Sequence, residues 1–379
     1  MHTDLTLKNA KIVTLNEVLD GALHLRDGAI QDIHTGPIDI ANAVDCEGDY
    51  LVPGLVDLHT DNFERMVRPR ASVDWPVMAA LVSHDAQMVA AGITTIFDSL
   101  YVGHAGIGSR SFDTLKNTIA DLQKGRDGHF LRGEHFLHLR AEVSMEVMPE
   151  QFASVYPNDM VRLISLMDHT PGQRQWRDVK KFAAMEQKDF HLSQEEIDKF
   201  LNNAKERHEK ISGPNRTKLL AMLNGHGVAL ASHDDTTVEH VEEAHAAGIA
   251  ISEFPTTVEA AEAARAKGMV IVAGAPNVVL GGSHSGNVAV EELARRGLLD
   301  ALASDYVPSS MLHGAFLLTE KVGTPLPETI RMVSQAPAQM VGLKDRGSIA
   351  PGMKADLVRV RKTEALPLVT MVWRDGVRI

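Results

Sequence analysis

The stretch Pro53-Gly54-Leu55-Val56-Asp57-Leu58-His59-Thr60-Asp61-Asn62-Phe63-Glu64 runs from an apolar segment into His59, Asp61 and Glu64, three side chains suited to hard or borderline metal ions. Side chains alternate along a strand, so His59 and Asp61 point to one side and Thr60 to the other. That is a chelating pair. The same chemistry recurs downstream: Glu142 lies in a third apolar run, His169 follows a fourth, His233 and Asp234 follow a fifth, and Asp305 follows an eighth. Each alone has a structural explanation as a cap, a turn or an ion pair. Together they supply the nitrogen and oxygen donors of a zinc-like site with an open position.

Positioning such groups together requires a scaffold that brings many strand ends to one rim. Apolar runs at 51–58, 94–100, 135–143, 161–167, 228–232, 249–254, 269–273 and 301–304 alternate with helical stretches, the pattern of a parallel sheet covered by helices. Eight runs predict an α/β fold of the (β/α)8 TIM-like barrel type, whose reactive groups sit at the C-terminal mouth. Helices are expected over 76–91, 238–247 and 258–267, each stopped by a glycine (Gly92, Gly248, Gly268). One connection is oversized: 171–224 is polar and mostly helix-like, which predicts a helical insertion after the fourth run and a lid over the mouth.

The ends of the chain read differently. Residues 5–13, 22–26 and 29–33 are strand-like, with a hairpin signal at Asp27-Gly28, and 368–373 is strand-like before a turn at Asp375-Gly376. Both ends are expected to pair in one small β domain, 1–52 plus 346–379, beside a barrel over 53–345. The balance of 38 basic against 50 acidic residues gives a charge of −12, which argues against nucleic acid or an anionic membrane as partner. Cys46 is the only cysteine, so neither an intrachain disulfide nor a thiolate cluster is available. Neither a signal peptide nor an apolar segment of about 20 residues stands out, and a cytoplasmic location is expected.

These features resemble the amidohydrolase superfamily, in which the first barrel strand usually ends in His-x-His where this chain has His59-Thr60-Asp61. The segment Gly347-Ser348-Ile349-Ala350-Pro351-Gly352-Met353-Lys354-Ala355-Asp356-Leu357-Val358 is similar to the return of that superfamily into its β-sandwich. Within the superfamily the chain resembles the diphosphatase branch of phosphonate metabolism, acting on ribose 1-methylphosphonate 5-triphosphate. The resemblance rests on collinear stretches such as Val73-Asp74-Trp75-Pro76, His84-Asp85-Ala86-Gln87, His138-Leu139-Arg140-Ala141-Glu142, Asp168-His169-Thr170-Pro171-Gly172-Gln173-Arg174-Gln175, His233-Asp234-Asp235-Thr236-Thr237 and Ser304-Asp305-Tyr306. It implies that His59 and Asp61 hold a first divalent ion, that Glu142 bridges to or binds a second, that His169 and His233 complete the site, and that Asp305 is the general acid/base. Zinc is the ion expected, as one or two ions, with manganese or iron as alternatives. In the superfamily the histidines usually come from the fifth and sixth strands, whereas the runs counted above place Glu142, His169 and His233 on the third to fifth. A missed or wrongly divided strand is therefore expected.

A phosphorylated ribose is the partner implied, with a homo-oligomer as the assembly. Guanidinium groups meet phosphate through paired hydrogen bonds, which makes Arg65, Arg68, Arg140 and Arg174, with Arg70 beside them, candidates for the triphosphate. The loop Gly281-Gly282-Ser283-His284-Ser285-Gly286 offers backbone N–H groups for the same purpose. His84 and Asp85, inside a helix pattern, read as satisfied core residues. Two other functions compete: a deacetylase or cyclic-amide hydrolase on the same metal site, and a non-catalytic scaffold of a phosphonate-degrading complex.

Overall fold

The first apolar run is shared between two sheets. In the computed structural model, which describes residues 4–70, 73–103, 112–174, 179, 183, 193–283 and 286–379, Pro53-Gly54 divides it. Its first half is β5 (Tyr50–Pro53), which follows β1 (Asp4–Val13), β2 (Val18–Arg26), β3 (Ala29–Thr35) and β4 (Val44–Asp45). Its second half is β6 (Leu55–Thr60), the first strand of the barrel. Gly54 sits where the two sheets meet: a Cβ there would fall 2.2 Å from Thr94 Oγ1, so no larger residue fits without displacing Thr94.

The barrel continues with β7 (Ile93–Val102), β8 (Glu134–Glu142), β9 (Val161–Met167), β10 (Ala229–His233), β11 (Ile251–Glu253), β12 (Val270–Gly274) and β13 (Ala301–Ala303), each parallel to the one before. Among the described residues the eight barrel strands correspond to the eight expected runs, the first of them only in its second half, so no barrel strand was missed. Val56, Leu58, Phe97, Leu163, Ala231, Ile251, Val272 and Ala301 fill the interior, and a second apolar layer lies between strands and helices. Helices Val238–Ala246 and Val258–Ala266 are capped by Thr237 and Thr257 side chains, each worth about 1 kcal/mol, and end before Gly248 and Gly268 at φ of 77° and 74°.

Closure of the ring falls between β13 and β6. Asp305 N–H donates to His59 O at 2.9 Å and Asp61 N–H to Asp305 O at 2.7 Å, so the last strand is tied to the first at the mouth. Lower in the seam the fully buried Asp57 accepts from the backbone N–H of Ser304 (3.0 Å) and of His59 (3.3 Å). Burial pushes its carboxyl up to about 6 despite these bonds.

The terminal strands return as β14 (Leu357–Lys362), β15 (Pro367–Arg374) and β16 (Val377–Arg378), giving one sheet of order β16-β15-β14-β5-β1-β2-β3 with β4 against β1. Leu7, Ile12, Leu23 and Leu25 from one end share a core with Leu357 and Trp373 from the other, so the sheet closes over a single apolar layer. Arg359 crosses this junction and donates to Asp49 at 2.6 Å, both groups buried. Arg361 of the same strand also donates to Asp49, at 3.1 Å, so two guanidinium groups of β14 hold the buried carboxylate. Of the oversized connection, Gln194–Arg207, a π-helical turn His208–Ser212 and Gly213–Leu223 are helical as expected, while most of 175–192 lies outside the described residues. Among the described residues no helix is long and apolar enough to cross a membrane.

Candidate metal centre

His59, at the end of β6, is 1% exposed and its Nδ1 lies 2.8 Å from Glu253 Oε1. His233, at the end of β10, places its Nδ1 2.7 Å from the other oxygen of the same carboxylate. A carboxylate of this kind accepts, so both rings carry their proton on Nδ1 and turn Nε2 toward the mouth. Glu253 also accepts from Ser165 Oγ at 2.8 Å. One side chain of β11 thus aligns two imidazoles, which stack with centroids 5.8 Å apart and planes 18° apart.

The third imidazole is held in the same manner. His169 Nδ1 is 2.6 Å from Glu142 Oε2, while Oε1 of that residue accepts from Ser144 Oγ (2.6 Å) and from the His169 N–H (3.1 Å). Glu142 therefore stands behind His169, with both oxygens engaged. In front of the rings the nitrogen and oxygen atoms that could hold an ion fall into two adjacent groups, His59 with Asp61 and Asp305, and His169 with His233 and Asp234, the atoms of each group lying within 4.8 Å of one another. His59 belongs also to a buried group with His138 and Glu253. His138 Nε2 lies 2.5 Å from Ser165 Oγ, and burial drops its imidazole to about 3.

Three mouth residues, Asp234, Phe254 and Asp305, adopt left-handed φ angles of 55°, 57° and 55°. Each donates its N–H to the neighbouring strand, to Glu253 O, Val272 O and His59 O, before the chain turns. The ladder holds the turn, and the turn swings the side chains over the barrel axis. A sparsely populated conformation at a strand end costs about 1–3 kcal/mol and persists only where the surroundings fix it.

Electrostatically the cluster is short of positive charge. Asp61, Glu142, Asp234, Glu253 and Asp305 surround the imidazoles, and the guanidinium bonded among them is Arg140, on β8, 2.5 Å from Asp61 Oδ1. Burial opposes ionisation of Asp61, yet Arg140 and His59 hold its carboxyl well below the usual range. Burial likewise disfavours the charged His59 ring, but Glu253 and Asp61 lift it to about 10. Asp305 is raised, chiefly by burial, with Asp61 adding to it. Two neighbouring N/O groups, imidazoles turned by outer carboxylates and an excess of buried negative charge fit a divalent cation.

Of the arginines, Arg140 reaches the centre. Arg65, exposed on helix Asn62–Val67, donates to Tyr306 O at 2.8 Å on the rim. Arg68 lies 3.7 Å from the exposed Asp74, and Arg70 is exposed. Arg174 is buried and bonded to His233 O (2.9 Å) and Asp235 Oδ1 (2.5 Å), bracing β10 from the outside. Gln175, His284 and Ser285 lie outside the described residues. His84 and Asp85 are buried in a separate network: His84 Nε2 meets Asp98 at 2.8 Å, and Asp85 accepts from the Gly133 N–H at 2.8 Å.

A model of the amidohydrolase family matches residues 50–379. The chain belongs to the amidohydrolase family. It is 41% identical over 375 residues to the Alpha-D-ribose 1-methylphosphonate 5-triphosphate diphosphatase of Escherichia coli (strain K12), covering 98% of this chain and 99% of that one. An adenine deaminase of Desulfatibacillum aliphaticivorans is 27% identical over 94% of this chain but only 55% of its own length. Among solved amidohydrolase-like structures, the 5-methylcytosine deaminase from Klebsiella pneumoniae superposes with a TM-score of 0.66 at 14% identity, over 99% of this chain and 98% of that one. The N-acetyl-D-glucosamine-6-phosphate deacetylase from Mycobacterium smegmatis gives 0.64 at 17%, over 99% of each. At such identities the likeness is one of fold.

Glu253 is the residue that the sequence reading passed over. It sits inside the sixth apolar run, and a carboxylate in an apolar run is the signal that singled out Glu142. This chain thus carries an acidic residue, Glu253, on its sixth barrel strand. Glu253→Gln keeps the shape and removes the charge that orients His59 and His233, so metal affinity should fall about 10- to 100-fold. Titration of metal-free protein with the ion by calorimetry measures this, and unchanged affinity would contradict the orienting role.

Proposed function

We propose that this chain is a metal-dependent diphosphatase that hydrolyses alpha-D-ribose 1-methylphosphonate 5-triphosphate, or a closely similar ribose 1-phosphonate 5-triphosphate, to the 5-phosphate and pyrophosphate in carbon–phosphorus bond breakdown. The observation that carries the reading is 41% identity to the Escherichia coli diphosphatase across almost the full length of both chains.

His59, Asp61, His169 and His233, with Asp234 and Asp305 at hand, are the groups proposed to hold the ion or ions, with Glu142 and Glu253 orienting the histidines. Zinc suits this borderline donor set first, then manganese or iron. When bound, a divalent ion would polarise phosphoryl oxygens and acidify water. Asp305 stands over the axis with a carboxyl raised by burial, the character of a group that takes a proton from attacking water and returns it. Arg140 presents the guanidinium nearest to that carboxylate cluster and steadies charge that builds on the departing phosphates.

Incubation of the metal-loaded protein with a ribose 5-triphosphate ester should release pyrophosphate and leave a ribose 5-phosphate. Release of amine or acid from N-acyl or cyclic-amide compounds, without pyrophosphate, would replace this reading with an amidase one, and inertness towards both classes would favour the scaffold. Arg140→Ala should lower kcat/KM for the triphosphate about ten- to hundred-fold, since a charge-assisted contact to phosphate is lost. An equal loss on a neutral N-acyl substrate would mean that Arg140 acts only by holding Asp61.

A further inference from the structure

To one side of Asp305 the mouth opens into a cavity of about 100 Å³ over the ends of β11, β12 and β13. Asp234, Phe254, Val288, Asp305 and Tyr306 form its walls, and among the described residues no lysine, arginine or histidine lines it. Away from the ion that Asp234 and Asp305 would help to hold, the described walls offer a phosphate chain no side-chain cation to pair with, whereas their carboxylate and phenol oxygens accept hydrogen bonds from hydroxyl groups. Arg140 stands on β8, the third strand of the ring, and the cavity is centred on β12, the seventh. In an eight-membered ring those strands face each other across the axis.

The end of β12 is Gly274, at φ −75° and ψ 121°, angles that suit any residue. Its backbone therefore gives no reason for glycine. A Cβ built there would stand 3.6 Å from Asp305 Oδ2 and 3.8 Å from Pro276 Cδ, ordinary contacts that the fold accommodates. What such a methyl would take is space in front of Asp305.

We propose that Gly274 holds open a subsite for the uncharged ribose ring of the substrate, with the triphosphate running across the barrel axis toward Arg140. The inference rests on the diphosphatase reading and adds an orientation to it. Ring hydroxyls meet the oxygens of Asp234 and Tyr306, the Phe254 ring covers the apolar face of the sugar, and the charged C1 substituent is left at the solvent end. The subsite reads the ring rather than the substituent.

The test compares Gly274→Ala and Gly274→Val with the wild type, all metal-loaded, by KM for a ribose 5-triphosphate ester and by Ki for inorganic tripolyphosphate as a sugar-free competitor. Loss of pocket volume by one or a few carbons is worth about 10- to 200-fold in discrimination. The KM of the valine variant should therefore rise at least about ten-fold, and that of the alanine variant by less, while Ki stays within about two-fold. Thermal unfolding checks that the variants fold, and the alanine variant, whose methyl makes only ordinary contacts, keeps the test decisive if the valine variant does not. Parallel rises in KM and Ki would show phosphate in the cavity and overturn the orientation. Unchanged KM in the variants that fold would empty it of substrate. A wild type that releases no pyrophosphate at all would strike the diphosphatase reading first, and the subsite with it.

Discussion

Asp305→Asn should keep its metal and lose at least about 10²-fold in turnover, the range expected when a positioned acid/base is removed. The substitution preserves shape and the backbone bonds to His59 and Asp61 that close the barrel, so the fold should survive. What changes is basicity: an amide cannot take the proton that water must give up to attack phosphorus. Asp305 also belongs to one of the two ligand groups, and the two roles separate cleanly in the measurement. Metal content by elemental analysis beside kcat assigns the loss to proton transfer if metal is retained and to anchoring if it falls. Near-normal turnover would move the base elsewhere, with Asp234, in the neighbouring group, the next to test.

His169→Ala should lose metal and activity together. The imidazole is the one ligand candidate contributed by the segment after β9, and Glu142 already fixes its Nδ1 so that Nε2 faces His233 and Asp234. Without the ring that group keeps two donors from a single strand end, and Glu142 loses the cationic partner that offsets its burial. Glu142 is buried while His169 is partly exposed, and losing that partner should lower the Tm of the metal-free protein alongside the loss of metal. Full metal occupancy in the variant, measured on protein purified without chelator, would show that the ion is held elsewhere.

The barrel was legible because its strands are buried on both faces and therefore appear as continuous apolar runs. The position of His59, Asp61, His169, His233 and Asp305 at the mouth was legible because each stands where such a run ends and the chain leaves the barrel. Glu253 was not, since its role depends on His59 and His233, 194 and 20 positions away, and no local spacing reports a contact made across the ring. Asp57 was hidden for the same reason: its partner Ser304 lies 247 positions on. Arg174 carried the right chemistry for phosphate, but the fold turns it onto Asp235 and the His233 carbonyl. The sequence shows which groups stand at the mouth; which carboxylate faces an ion and which faces an imidazole is settled only by packing.

The pairing of β5 with β14 also sets an order of events during synthesis. Asp49 and Arg359, which meet across that junction, are 310 positions apart, an interval that a ribosome working at about 5–20 residues per second covers in on the order of tens of seconds. Throughout that time the nascent barrel can grow strand by strand from its first element, while the β5 side of the sheet started earliest waits with its backbone groups unmatched, a template for pairing with a neighbouring chain. Until β14 emerges, pairing of that open edge with a neighbouring chain competes with folding.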